Sequence, residues 1–136
     1  MDWLTLFHPG MKREEIFTVG PTNLASHVGS GSVSVLSTPS MIGFMEATAL
    51  HLLAEHLPAG YSSVGVQVNV SHQAPSLPEA AIRVTAEVLH LEGSQVELAV
   101  QAWDCSELVG DGLHRRAIIE EARFLKRIAA KAAAQP

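Results

Sequence analysis

Ser37-Thr38-Pro39-Ser40-Met41-Ile42-Gly43-Phe44-Met45-Glu46, running on through Ala47 to Leu57, decides the fold. The stretch reads as one long, mostly apolar helix. Thr38 is a favoured N-cap, and Pro39 suits the first helical position, where its missing N–H removes nothing the helix would use. At helical spacing Ile42, Ala49, Leu50, Leu53 and Leu57 share one face, with Glu46 in its middle. Ser40, Thr48, His51 and Glu55 form only a narrow polar stripe opposite, so the helix is expected to be wrapped on most sides by a sheet. Glu46 is then a carboxylate aimed into the core. Such a group needs a hydrogen-bonding partner or a role that uses a shifted pKa. The plain alternative is a backbone amide partner, an aqueous crevice or a subunit contact.

Beyond the helix, Pro58-Ala59-Gly60 is a stop signal, and the period then changes from helical to alternating. Val64, Val66, Val68 and Val70 point one way and Gly65, Gln67 and Asn69 the other, which predicts a strand with one buried face. The alternation puts His72 on the valine side, toward the core that receives Glu46. Taken alone, His72 also fits a core histidine bonded to a backbone carbonyl. Gln73 to Pro78 is a loop. Ile82, Val84, Ala86 and Val88 form the inner row of a second strand, and Glu92-Gly93-Ser94 is a hairpin turn. Val96, Leu98, Val100 and Ala102 form the next inner row. Leu108 to Ile119 is the last strand, with a bulge or a close backbone approach expected at Gly110 and Gly112.

Ahead of the helix, Met1 to Gly10 carries Trp3, Leu4, Leu6 and Phe7 and reads as an arm that packs on a neighbour. Glu14 to Val19 is a candidate strand, and Thr22 to Val28 a short helix capped by Thr22. Gly29-Ser30-Gly31-Ser32 is either a connector or a lid beside a buried acid. At the other end, residues 122–136 form a helical tail, with Arg123, Lys126, Arg127 and Lys131 facing solvent.

With 136 residues, 47% of them hydrophobic, the chain suits a single domain spanning 1–136. Residues 1–36 would supply the arm, first strand and possible lid. A formal charge of −5 without a basic run argues against nucleic acid or an anionic membrane as main partner. Cys105 is the only cysteine, so neither a disulfide framework nor a thiolate metal site is expected, and the cytoplasm is the expected compartment. No signal peptide or membrane-spanning stretch is apparent.

One long helix followed by four antiparallel strands, with a further strand before it, is an α+β order that matches a hot-dog fold. The residues resemble a family as well, the hot-dog thioesterases related to the fluoroacetyl-CoA thioesterase. Thr38 to Glu46 (TPSMIGFME), Ser63 to His72 (SVGVQVNVSH), the proline-containing loop after it and Gly112 to Ile119 (GLHRRAII) carry the resemblance. It implies catalytic roles for Thr38, Glu46 and His72 and substrate contacts for Gly65 and Arg116. It further implies hydrolysis of an acyl-CoA at a site shared by two subunits of a homodimer or larger oligomer, with no metal and no organic cofactor.

That scheme is physically coherent. The helix N-terminus offers N–H donors and a positive dipole end to a thioester oxyanion, and Arg116 offers a cation to a CoA phosphate. Attack by Thr38 with His72 as base, and attack by Glu46 or by water it activates, both fit the spacing. The family's aromatic gate ahead of the threonine is replaced here by Ser30 to Ser34. A small or medium acyl group is therefore expected, without fluoroacetyl selectivity. The competing reading is a non-catalytic acyl-CoA or small-ligand binding module on the same fold; a hydratase is less favoured because its usual His and Asp helix signature is absent. His51, Glu55 and His56 lack HExxH order, and Ser37 and Ser40 lack a G-x-S-x-G context.

Overall fold

A computed structural model describes residues 1–136. Its regular elements are β1 (Lys12–Thr18), α1 (Ala25–Val28), α2 (Thr38–Ala54), β2 (Tyr61–His72), β3 (Ala81–Glu92), β4 (Gln95–Asp104), β5 (Glu107–Glu120) and α3 (Glu121–Ala134). The strands form one antiparallel sheet in the order β1-β3-β4-β5-β2, and α2 packs across its concave side. This is the hot-dog arrangement. The core is supplied by the inner rows of β3 and β4 as their alternation requires: Ile82, Val84, Ala86, Val88, Val96, Leu98, Val100 and Ala102 are all buried. At about 1.5–3 kcal/mol for each large apolar side chain removed from water, these rows and the α2 residues facing them dominate the favourable side of folding.

The wrapped helix is correctly anticipated, but it is rotated from its expected setting. Its buried residues are Met41, Met45, Thr48, Ala49, Leu52 and Leu53, whereas Ile42 and Leu50 are only half-buried. The flexible methionines fill the space against the sheet. Thr48, assigned to the polar stripe, is buried because its hydroxyl donates to the Phe44 carbonyl at 2.9 Å. Glu46 is thereby turned to the flank, with its side chain 41% exposed. The cap also moves. Ser37 is the N-cap, its Oγ accepting from the Ser40 N–H at 3.1 Å, which makes Thr38 the first helical residue and Pro39 the second.

The valine row of β2 is interrupted. The pairing with β5 shifts between Gly65 and Gln67, so Val66 is an extra, bulged residue and is 50% exposed. Ser63 and Gly65 therefore share the helix side with Val68, Val70 and His72, and Val64 leaves it. Gly110 and Gly112 are close-approach positions, as expected. A Cβ at Gly110 would lie 2.5 Å from Met41 Sδ and 2.8 Å from the Ser71 carbonyl, while one at Gly112 would collide with the Asn69 carbonyl.

The N-terminal segment packs on its own chain. Phe7 is buried, and Trp3 meets Tyr61 edge to face at 5.1 Å. The expected helix over Thr22 to Val28 is divided into a turn at Pro21–Asn23 and the short α1. Leu24 forms a bridge to Leu36 there. No helix is long and apolar enough to cross a membrane.

Candidate active site

Freed from capping by Ser37, the Thr38 side chain reaches across to the end of β2. Its Oγ1 lies 2.7 Å from His72 Nδ1. His72 Nε2 is buried and has no hydrogen-bond partner. Burial pushes the His72 pKa below the usual histidine value, an effect the nearby Ala74 carbonyl partly opposes without completing a hydrogen bond. A neutral imidazole with its proton on Nε2 can accept from the Thr38 hydroxyl, which is the polarity a general base requires. Around this pair the helix start is firmly held. The Ser37 N–H donates to the Asn23 carbonyl at 2.8 Å, and the Met41 N–H to the Ser37 carbonyl at 3.0 Å. The Ser40 N–H is taken by Ser37 and Pro39 has none, so the Thr38 amide is the free donor of the first turn.

Glu46 is not beside this pair within the chain. The rise from Thr38 to Glu46 is about 12 Å along the helix axis. Glu46 instead lies over Gly65, so close that a Cβ added there would sit 2.5 Å from Oε2. Arg116 Nη1 is 3.7 Å from the same oxygen. The Arg116 side chain is held inside the sheet: Nε donates to Ser63 Oγ at 2.8 Å, Nη2 to the Ser63 carbonyl at 2.9 Å, and Nη1 lies 3.1 Å from His114 Nε2. Burial lowers its pKa, against the pull of Glu46. At 5% exposure and with three of its N–H groups engaged, Arg116 is buried behind the sheet surface and is not an ordinary surface charge. It is a fixed positive charge behind Glu46.

His114, which the sequence reading passed over, completes this second cluster. Its Nδ1 donates to the Gln67 carbonyl at 2.9 Å, leaving Nε2 to accept from Arg116. Burial holds its pKa down, and the Arg116 charge adds to that, so it is neutral near pH 7. Its signal lay in the period of β5: Gly110, Gly112, His114, Arg116 and Ile118 occupy alternate positions on the helix side.

The family model for the fluoroacetyl-CoA-specific thioesterase matches residues 19–122. The chain belongs to that family. Membership makes it a thioester hydrolase. The fluoroacetyl-CoA thioesterase of Streptantibioticus cattleyicolor is 33% identical over 97 residues, covering 71% of this chain and 70% of that protein. A crystal structure of a mutant fluoroacetyl-CoA-specific thioesterase bound to fluoroacetate and CoA superposes with a TM-score of 0.82 at 29% identity, over 87% of this chain and 99% of that one. A hot-dog-like protein from Thermanaerovibrio acidaminovorans gives a TM-score of 0.88 at 27% identity, over 96% and 97%.

Within this thioesterase, a cavity of about 300 Å3 opens over the Thr38–His72 pair. Ser30, Val35, Leu36 and Pro75 are among its walls, and none of its lining residues is Phe, Tyr or Trp. Ser30 belongs to the Gly29 to Ser34 segment, which is exposed and held at its base by the Ala25 N–H donating to the Val35 carbonyl at 2.8 Å. His51 and Glu55 are engaged with Glu15 and Arg13, on the side of α2 facing β1.

Proposed function

We propose that the chain hydrolyses acyl-CoA thioesters of small or medium acyl groups to the free acid and CoA, as a homodimer. Each of its two sites takes Thr38 and His72 from one protomer and Glu46 from the other. The supporting observation is His72, bonded to Thr38 through Nδ1 and left with a buried, unpartnered Nε2. A buried donor without an acceptor costs about 1–3 kcal/mol, and a carboxylate is the group that converts it into an oriented base. Glu46 of the same chain is too far along the helix to serve. The edge strand β2 supplies the alternative, because its Gly65 to Asn69 segment is exposed and its outer backbone unpaired. Antiparallel pairing of two β2 strands about an axis near Val68–Asn69 sets Gly65 of one chain beside His72 of the other. Glu46, lying over Gly65, comes with it.

In this scheme His72 takes the Thr38 hydroxyl proton as Oγ1 adds to the thioester carbon. The Thr38 amide and the helix dipole stabilise the resulting oxyanion. The C–S bond breaks, the CoA thiolate takes the proton from His72, and the acyl group remains as a threonine ester. Water, deprotonated by His72, then releases the acid and restores the hydroxyl. Glu46 holds the imidazole throughout, and Arg116 with Gly65 holds Glu46. The reading requires no metal and no organic cofactor.

Release of free thiol from acetyl-, propionyl-, butyryl- and fluoroacetyl-CoA tests this directly. Glu46→Gln and His72→Ala are each expected to lower kcat at least about a hundredfold, the scale of a lost acid–base group. Thr38→Ala should cost as much and Thr38→Ser retain appreciable turnover. Near-parental turnover in both Glu46→Gln and His72→Ala would overturn this assignment of the catalytic residues, and no thiol release from any of the four thioesters would leave a binding module. Hydrolysis of fluoroacetyl-CoA many orders of magnitude faster than acetyl-CoA would contradict the open cavity wall without Phe, Tyr or Trp.

A further inference from the structure

A second cavity, of about 630 Å3, lies at the end of the sheet between the start of α3 and the Trp3–Tyr61 pair. Arg123, Phe124 and Arg127 line it from α3, Trp3 and Tyr61 from the opposite side, and Glu120 is its one carboxylate. The sequence has no basic run, yet helical spacing gathers Arg123, Lys126, Arg127 and Lys131 on one side of α3. The two arginines among them differ from the other arginines of the molecule. Arg13, Arg83, Arg115 and Arg116 all make ion pairs with glutamates, whereas Arg123 and Arg127 make none. The two arginines without an internal counter-ion thus share a cleft with three half-buried aromatic rings.

We propose that this cleft is a nucleotide subsite that receives the adenosine bisphosphate end of CoA. The proposal rests on the acyl-CoA reading above and names where the far end of that substrate sits. Planar guanidinium groups suit phosphate oxygens, and aromatic faces suit a stacked base. Position agrees with chemistry. Tyr61 lies about 13 Å along β2 from Gly65, within reach of a pantetheine arm, and Ile118 in the cleft wall is the next helix-side residue after Arg116 on β5. In a chain of formal charge −5, a polyanionic substrate needs such a local cationic anchor. The family match ends at residue 122, just short of both arginines.

The test uses the full-length chain and its Arg123→Ala/Arg127→Ala variant; α3 has no buried residue, and circular dichroism verifies that the variant keeps its fold. Calorimetric titration with adenosine-3′,5′-bisphosphate should show affinity reduced about tenfold or more in the variant, equivalent to at least about 1.4 kcal/mol. The ratio of kcat/KM on acetyl-CoA to kcat/KM on acetyl-pantetheine should fall by a similar factor, through KM. Arg123→Lys/Arg127→Lys should recover part of the binding. Unchanged nucleotide affinity overturns the proposal, as does an equal loss on both thioesters. If the parent hydrolyses neither thioester, the acyl-CoA reading fails, while the nucleotide titration still decides whether the cleft binds this ligand.

Discussion

Replacing Gly65 with alanine should disable the enzyme without unfolding it. The added Cβ would stand 2.5 Å from Glu46 Oε2 and 3.2 Å from His114 Cε1, against an ordinary separation of about 3.5–4 Å. Glu46 must therefore retreat by about 1 Å or more. It can do so, because its side chain is 41% exposed and ends in a rotatable carboxylate. Alanine in place of glycine in a strand recovers about 0.5–1 kcal/mol of chain entropy, which offsets residual crowding against His114. The net change in stability should therefore stay within about 1 kcal/mol. A displacement of about 1 Å in a catalytic group can cost about a hundredfold in rate. Gly65→Ala is thus expected to show a near-parental midpoint in urea and a kcat on acetyl-CoA lower by up to about a hundredfold. In the Glu46→Gln background the same substitution should add little, because both act through one carboxylate. A Gly65→Ala enzyme within threefold of the parent, or a full additive loss in the double variant, refutes this reasoning.

Gly110→Ala should behave oppositely. Its Cβ would meet Met41 Sδ and the Ser71 carbonyl in the core, so a loss of about 1–3 kcal/mol in urea denaturation is expected. Acid should destabilise the fold through His114. Its pKa is lowered in the folded protein, so the unfolded chain binds more protons below the usual value of about 6.5. Stability should be level above that pH and decline as pH falls from it toward the folded-state pKa, by at most about 1.4 kcal/mol per pH unit for this group. His114→Asn keeps a donor for the Gln67 carbonyl and should make the decline shallower, with His72, whose pKa burial also lowers, supplying the remainder, measured as urea midpoints between pH 7.5 and 5.5.

The fold was legible because its signals are long and periodic: the apolar run from Met41 to Leu53 and the alternating rows of β3 and β4 admit few other arrangements. Thr38 and His72 were singled out through the family resemblance, and the structure brings the two together. The helix cap was misplaced by one residue because Ser37 and Thr38 are both good caps, and local preference does not register that His72 recruits the second hydroxyl. Glu46 was turned too far inward because Met41 and Met45 occupy the sheet-facing positions credited to Ile42 and Leu50. The bulge at Val66 leaves no mark in a row of valines, yet it turns Gly65 toward Glu46. His114 and the burial of Arg116 were hidden in a segment whose polarity resembles that of an exposed strand. Their partners, Ser63 and Gln67, are far away in sequence.

The division of each site between two protomers is most directly tested by mixing Glu46→Gln protein with His72→Ala protein under conditions that allow subunits to exchange. Each variant alone is expected to be nearly inactive. In a mixed dimer one site combines both defects, while the other joins an intact Thr38–His72 pair to an intact Glu46. Random exchange makes about half the dimers mixed, so thiol release should recover to about a quarter of the parental activity. Should the catalytic set lie within one chain, no mixed dimer contains an intact site and the mixture stays as inactive as its components.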